Sequence, residues 1–324
     1  MAASGAPAAA HSPVLLEEVC GALGPAMEGL HPRHVVDATG GRGGHSAALL
    51  DRMEPGDRLI ILDRDPEAIA ALASRFGGDP RVSLFQERFD RLEQILSGAA
   101  LAGRVDAILA DLGVSSPQLD DAARGFSFLR DGPLDMRMNP GEGQSAAEWL
   151  SEAGAREISQ VLRDFGEEGA ARAIAQAIVR RREDAPLLRT RDLADLIAGL
   201  LPQRAPGIHP ATRTFQAIRI HINDELGQLQ RFLPQAFRAL RAGGRLAIIS
   251  FHSLEDRIVK RFFRAEEQQP DHRIPLRSTE LPPRPWTGIS RAIKASAEEM
   301  RANPRARSAT LRYATKNPEI AHAT

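Results

Sequence analysis

Short apolar runs that end in an aspartate and alternate with helical stretches constrain this chain more than any other feature. His34-Val35-Val36-Asp37, Arg58-Leu59-Ile60-Ile61-Leu62-Asp63 and Val105-Asp106-Ala107-Ile108-Leu109-Ala110-Asp111 share that form, and Arg81-Val82-Ser83-Leu84-Phe85 is a more polar version. Between them the pattern predicts helices near 45–53, 66–76 and 89–97, the second opened by Pro66, which suits a first helical turn. Strands alternating with helices of this length imply crossover units and a parallel sheet covered on both faces. The next strand, Arg245–Ser250, comes more than a hundred residues after Asp111, far beyond what one crossover helix requires. An insertion is therefore expected. Within 112–212 the periodicity is helical: Ser145 and Glu148 form a capping box, and Ala171, Ile174, Ala175, Ile178 and Val179 mark one apolar face. A further helix near 191–200 stops at Pro202, and 211–241 returns toward the sheet, interrupted at Pro234. Ser253 with Asp256 opens a helix over 254–265, a proline-rich stretch follows, and Ala309–Ala314 reads as a last strand.

Composition bounds the class. With 324 residues, 43% hydrophobic and 26% charged, the chain is an ordinary globular protein with room for more than one core. No run approaches the roughly 20 apolar residues of a membrane span. The start, MAASGAPAAA, lacks the basic and apolar regions of a signal peptide and reads as a flexible tail over 1–10, so the cytoplasm is the expected compartment. A lone Cys20 permits neither an internal disulfide nor a cysteine-based zinc site, and no metal and no membrane partner is expected. Net charge is zero, yet from Arg257 onward 14 basic residues stand against seven acidic ones. Such asymmetry suits a polyanion, though only three lysines against 39 arginines also reads as compositional bias.

The segment Asp37-Ala38-Thr39-Gly40-Gly41-Arg42-Gly43-Gly44-His45 puts glycines at a strand-to-helix turn, where a ligand can reach the main chain. A phosphate loop needs a closing Gly-Lys-Ser/Thr, which is missing, and a dinucleotide fingerprint counted from Gly41 meets Ser46 where a small glycine belongs. S-adenosylmethionine remains: Asp37 would meet its cationic amino group and Asp63 its ribose hydroxyls, although an acid at Asp63 also fits NAD. The plainer reading is a glycine turn for tight packing. Asp111-Leu112-Gly113-Val114-Ser115-Ser116-Pro117-Gln118 follows the fourth strand, so Asp37, Asp63 and Asp111 are acids at three strand ends. After the fifth strand, His252 is a substrate contact or proton carrier, or a helix-start histidine with local hydrogen bonds only.

These residues closely resemble the bacterial small-subunit ribosomal RNA (cytosine-N4)-methyltransferase family, nearly end to end. The likeness is carried by His11-Ser-Pro-Val-Leu-Leu-Glu-Glu18, the stretch from Asp37 to His45, and Asp63-Arg-Asp-Pro66. It continues through Asp111–Gln118, Arg124-Gly-Phe-Ser-Phe128 and Pro133-Leu-Asp-Met-Arg-Met138. The C-terminal half adds His209–Gln216, Ser250–Lys260 and Asn303–Ser308. The resemblance implies a doubly wound, mostly parallel, seven-stranded S-adenosylmethionine-dependent methyltransferase (Rossmann-like) sheet over 11–128 and 211–324. An all-helical substrate-recognition domain would be inserted at 129–210. It also implies S-adenosylmethionine as cofactor and, as partner, a decoding-region cytosine in small-subunit (16S) ribosomal RNA or the assembled 30S subunit. The family's cofactor positions fall on Gly43, Gly44, His45, Asp63, Phe89, Asp111 and Gln118. Asn139 stands where the family has an acid, and Ser151 where it has an asparagine.

Methylating an exocyclic amine requires an acceptor that localises its delocalised lone pair and steadies developing positive charge. Asp111, with help from Ser115, Ser116 or nearby backbone carbonyls, is the candidate catalytic region, and Ser115 and Ser116 are candidate substrate contacts. Alternatively Asp111 only binds cofactor and a main-chain carbonyl accepts. Phe126 or Phe128 is a candidate stacking residue or simply core, and Cys20 is core filler rather than a nucleophile. Arg257, Lys260, Arg261 and Arg264 are candidate phosphate contacts, with a solvated helix face as the alternative. Two other readings compete: an NAD-dependent enzyme, and a binding factor on an inactive methyltransferase fold.

Overall fold

A computed structural model of the chain describes residues 13–29, 32–201, 209–264 and 284–320. The expected tail over 1–10, Pro202 and most of the proline-rich stretch lie outside the described residues. Seven strands form one sheet: β1 (His34–Asp37), β2 (Arg58–Asp63), β3 (Val82–Gln86), β4 (Val105–Asp111), β5 (Leu240–Ser250), β6 (Trp286–Thr287) and β7 (Thr310–Lys316). Their order is β3-β2-β1-β4-β5-β7-β6, with β1 to β5 parallel and β7 antiparallel to both β5 and β6. The doubly wound, mostly parallel fold expected from sequence is thus present. The helices are α1 (Leu16–Leu23), α2 (Gly44–Leu50), α3 (Pro66–Phe76), α4 (Leu92–Gly98), α5 (Ser116–Asp120), α6 (Ala146–Glu152) and α7 (Ala155–Gly166). They continue with α8 (Ala171–Asp184), α9 (Thr190–Leu200), α10 (Thr212–Asn223), α11 (Glu225–Ala239), α12 (Ser253–Arg264) and α13 (Ala297–Ala302).

The chain divides into two compact units: the described residues up to Gly113 together with those from Gln228 on, and Val114–Gly227 between them. In the sheet unit, alternation along each strand serves two cores. Val35, Leu59, Ile61, Ala107, Leu109, Ala247 and Ile249 pack on one face with α1 and α2. Val36, Ile60, Leu62, Ile108, Ala110, Leu246 and Ile248 pack on the other with α4, α11 and α12. Period-two side chains buried on both sides explain why these strands read as continuous apolar runs. β3 is only partly buried, as its more polar sequence implies, because it lies at the sheet's edge. β5 starts at Leu240, not Arg245: its register against β4 shifts between Val105 and Ala107, and Gly243 takes φ 78°. That irregularity admits the extra residues ahead of Arg245.

Pro234 does not interrupt the crossover. It sits inside α11, whose Leu229, Phe232, Leu233 and Ala236 are buried. Burial of such side chains, about 1.5–3 kcal/mol each, outweighs a proline's cost of about 3 kcal/mol. The break falls instead at Asp224, left-handed at φ 50°, a conformation aspartate tolerates better than most residues.

The helical unit has its own core, with Ile158, Leu162, Ile174, Ile178, Ala217 and Ile218 at its centre. It extends beyond the expected 129–210 on both sides because Val114, Leu119, Phe126, Ala211 and Phe215 belong to that core. Phe128, too, packs there, against His209 and Phe215, so Phe126 and Phe128 are core residues. The Ser145–Glu148 capping box is formed: the Ser145 N–H donates to Glu148 Oε2 at 2.8 Å and the Glu148 N–H to Ser145 Oγ at 3.2 Å. Asn139 accepts from the Gly141 N–H at 3.0 Å, a turn contact within this unit.

Candidate functional site

In the sheet unit, β1 lies between β2 and β4, where the winding reverses; ligands of open α/β sheets bind beyond the carboxyl ends at such a switch. Asp37 and Asp111 end the two strands at that point, and Asp63 ends β2 beside them. Asp37 is enclosed. Its Oδ2 accepts from Ser46 Oγ at 2.6 Å and its Oδ1 from the Thr39 N–H at 3.2 Å, while burial pushes its carboxyl pKa up. Ser46, the residue that breaks the dinucleotide pattern, is therefore the donor that holds Asp37.

Asp63 accepts from the Gly41 N–H at 2.8 Å through Oδ2 and from the Asp65 N–H at 2.8 Å through Oδ1. Desolvation raises its pKa to about 6 against these stabilising bonds. The glycines divide by role. Gly43 caps α2 at φ 74°, and a Cβ there would stand 2.5 Å from Phe76 Cε2; at Gly44 it would stand 2.4 Å from Pro13 Cγ. Packing alone requires both. Gly41 differs: at φ 53° an added Cβ would meet nothing closer than Thr39 O at 4.0 Å, so the main chain is open to a ligand there.

Asp111 is fixed from behind, its N–H donating to Thr39 Oγ1 at 2.6 Å. Its Oδ2 lies 3.6 Å from His45 Nδ1, whereas its Oδ1 is buried with no hydrogen-bond partner among the described residues. Burial raises its pKa to about 6; His45 works against the rise, Asp37 and Glu255 with it. His45 is buried, with Nε2 at 2.9 Å from the Val14 carbonyl. The next residue, Leu15, is left-handed at φ 55°, a conformation that costs an L-residue roughly 1–2 kcal/mol. Among the described residues, no arginine or lysine figures among the groups that shift Asp37, Asp63 or Asp111. Three acids at neighbouring strand ends, one with a buried oxygen that no described group partners, fit a cationic ligand, since an unpaired buried charge is otherwise costly.

The remaining candidates divide between the units. Phe89 opens a short turn after β3, partly buried, its ring edge-on to Phe232 at 5.1 Å. His252 makes a local hydrogen bond, its Nδ1 accepting from the Glu255 N–H at 3.4 Å. Glu255, not Ser253 with Asp256, caps α12, accepting from the Phe251 N–H at 2.7 Å, while Asp256 pairs bidentately with Arg312. Arg257, Lys260, Arg261 and Arg264 fall at i, i+3, i+4 and i+7 on α12, away from its buried Val259 and Phe263. Arg257, Arg261 and Arg264 are exposed and Lys260 is half-buried. Ser115, Ser116 and Gln118 belong to the helical unit. Ser115 caps α5, its N–H donating to Gln118 Oε1 at 2.8 Å, and Gln118 is buried. Sequence reading missed Thr39, Ser46, Val14 and Glu255. Of these only Glu255, three residues after a strand-end histidine, carried a visible capping signal.

Residues 8–317 match the model of the MraW methylase family. The "Ribosomal RNA small subunit methyltransferase H" of Acidithiobacillus ferrooxidans is 59% identical over 317 residues, 98% of each chain. Proteins of the same name from Thiobacillus denitrificans and Xanthomonas euvesicatoria are 54% and 53% identical over 312 residues. Those alignments cover 96% of this chain and 98% and 90% of the relatives. With a rim of carboxylates suited to a cationic methyl donor and likeness along nearly its whole length, this chain belongs to the MraW methylase family.

Proposed function

We propose that the protein methylates small-subunit ribosomal RNA, at the exocyclic N4 amine of a cytosine in the decoding region, with S-adenosylmethionine as donor. The observation that carries the reading is the set of strand-end acids with no arginine or lysine acting on them among the described residues, in a chain whose relatives are named for small-subunit ribosomal RNA. When bound, the donor supplies a methyl on a sulfonium; its transfer leaves a neutral thioether and one proton to be taken from the amine.

Asp63 receives the ribose hydroxyls, and the open backbone at Gly41 with the turn at Gly43, Gly44 and His45 receives the rest of the ligand. Phe89 and Gln118 complete the cofactor set. Asp37, enclosed behind the turn, acts on the cation through its charge. Asp111 accepts from the amine at Oδ1, drawing its lone pair out of the ring and taking the proton as the new bond forms. The basic stripe on α12 contacts phosphates, and Ser115, Ser116 and His252 are further substrate contacts. Single-stranded RNA presents an unstacked base at least cost.

The deciding experiment incubates purified protein with donor and either naked small-subunit RNA or assembled subunits, then separates nucleosides by mass spectrometry. N4-methylcytidine is expected with wild type and not with Asp111→Ala. Methyl on carbon 5, or none on either substrate, overturns the reading. Binding of NAD in place of the donor would transfer the site to a dehydrogenase.

A further inference from the structure

The contact between His45 and Asp111 is too long for a hydrogen bond and too specific for packing. A carbonyl oxygen only accepts, so the 2.9 Å bond to Val14 O puts a proton on His45 Nε2. Neutral imidazole then presents a bare lone pair at Nδ1, facing Asp111 Oδ2 at 3.6 Å. Two lone-pair atoms set against each other repel unless a proton lies between them. Asp37, at the end of β1, and Glu255, on α12, are the other charges acting on Asp111, and both are negative. Each favours keeping that proton.

We propose that His45 is a positioning residue for Asp111: pinned through Nε2 to Val14, it holds one proton against Asp111 Oδ2 and leaves Oδ1 as the accepting oxygen. The inference rests on the reading of Asp111 as the amine's acceptor. Oδ1 is buried and unpartnered among the described residues, and the Asp111 main chain is held by Thr39 Oγ1, so the carboxylate is fixed at two points and vacant at the third. Contacts of this kind shorten when a site fills.

The test pairs two substitutions. His45→Gln carries an amide to the Val14 carbonyl but has no atom at the Nδ1 position; His45→Asn puts an amide nitrogen there and gives up Val14. Single-turnover methylation is followed from about pH 5 to 9, with S-adenosylhomocysteine affinity measured by calorimetry. His45→Gln is expected to lose about a hundredfold in single-turnover rate at saturating donor and to move the acid limb to higher pH, any change in product affinity being read separately. His45→Asn is expected to recover most of the lost rate by donating to Oδ2. Equal losses in both variants that follow product affinity or melting temperature would make His45 merely structural, and a wild-type rate in His45→Gln would overturn the proposal outright. Nitrogen spectra of histidine-labelled wild type give a reading independent of any variant: a proton on Nδ1 alone, with Nε2 bare, is incompatible with it. If Asp111→Ala methylates at full rate, the acceptor reading itself fails; if Asp111→Ala is inactive while His45→Gln is not, only the present inference fails.

Discussion

The two edges of the sheet handle buried acids in opposite ways. At the amino edge, just before β2, Asp57 Oδ2 accepts from Arg33 Nε at 3.0 Å, from a terminal nitrogen of the same guanidinium at 2.8 Å and from the Glu54 N–H, while Oδ1 accepts from the Arg33 N–H. Asp106, near the start of β4, accepts from Arg241 Nε and from the His34 N–H at 2.7 Å. Every strong acceptor there meets a donor carried by the same fold. At the carboxyl edge, Asp37, Asp63 and Asp111 have serine, backbone and histidine neighbours but no such cation. Acids at one edge are paired with arginines; acids at the other have no arginine or lysine acting on them among the described residues. Substitutions at the two edges should therefore separate stability from chemistry.

The largest effect belongs to Asp111. Asp111→Asn is expected to lower single-turnover methylation about a thousandfold while leaving the melting temperature unchanged or higher, because it removes a carboxyl whose charged form burial disfavours. A large drop in melting temperature would erase the contrast between the edges. At the opposite edge, Asp57→Ala takes from the Arg33 guanidinium, only 7% exposed, its shortest ionic partner and leaves it Glu54 at 3.8 Å and the Met27 carbonyl, and should cost roughly 3 kcal/mol in urea unfolding. Donor affinity of the folded fraction should not change. A matching loss of affinity would mean that the amino edge supports the site.

What the sequence disclosed follows the same division. β1, β2 and β4, and the acids ending them, were legible because strands buried on both faces must be continuously apolar, which makes a closing charge conspicuous. The charged residues of the amino edge gave no such signal, since Arg33 and Asp57 lie 24 residues apart and meet only through the register of β1 and β2. β6 was illegible for a related reason: its two residues carry no periodicity, and Trp286 is held by the rings of Phe237, Phe262 and Phe263. The left-handed break at Asp224 was hidden by a more obvious proline, and the helical unit's extent by cores that close only in three dimensions. Within the site, residue types were readable and partners were not. Thr39 and Ser46 look like ordinary turn residues until their hydroxyls are found on Asp111 and Asp37.

A smaller effect is expected on α12, whose basic stripe is proposed to meet the polyanion. Replacing Arg257, Lys260, Arg261 and Arg264 together by glutamine should weaken RNA binding and flatten its salt dependence, by about 0.7 in the log–log slope for each phosphate that is no longer neutralised. Methyl transfer at saturating RNA should stay close to wild type. An unchanged slope would return the stripe to a solvated helix face and leave RNA recognition to the helical unit.

The smallest effect is also the one that reads the unpaired edge most directly. Burial raises Asp63 and Asp111 to about 6, above the usual aspartate value of about 3.9. Between those values the folded, ligand-free protein retains protons that the unfolded chain has released. The contribution of these two groups to stability is therefore whole below about pH 4 and is lost as pH rises through about 6. Asn substitutions at both positions should flatten the corresponding part of the melting-temperature profile, the difference from wild type isolating these carboxyls from the rest. Ligand affinity should move the other way, because ionisation creates the charge that attracts a cation. S-adenosylmethionine carries a sulfonium that S-adenosylhomocysteine lacks, so the affinity ratio of donor to product should rise across pH 6, by about tenfold or less. A ratio that stays flat would mean that the sulfonium does not sit against Asp111, and that the acids of this edge serve the ribose and the amino group alone.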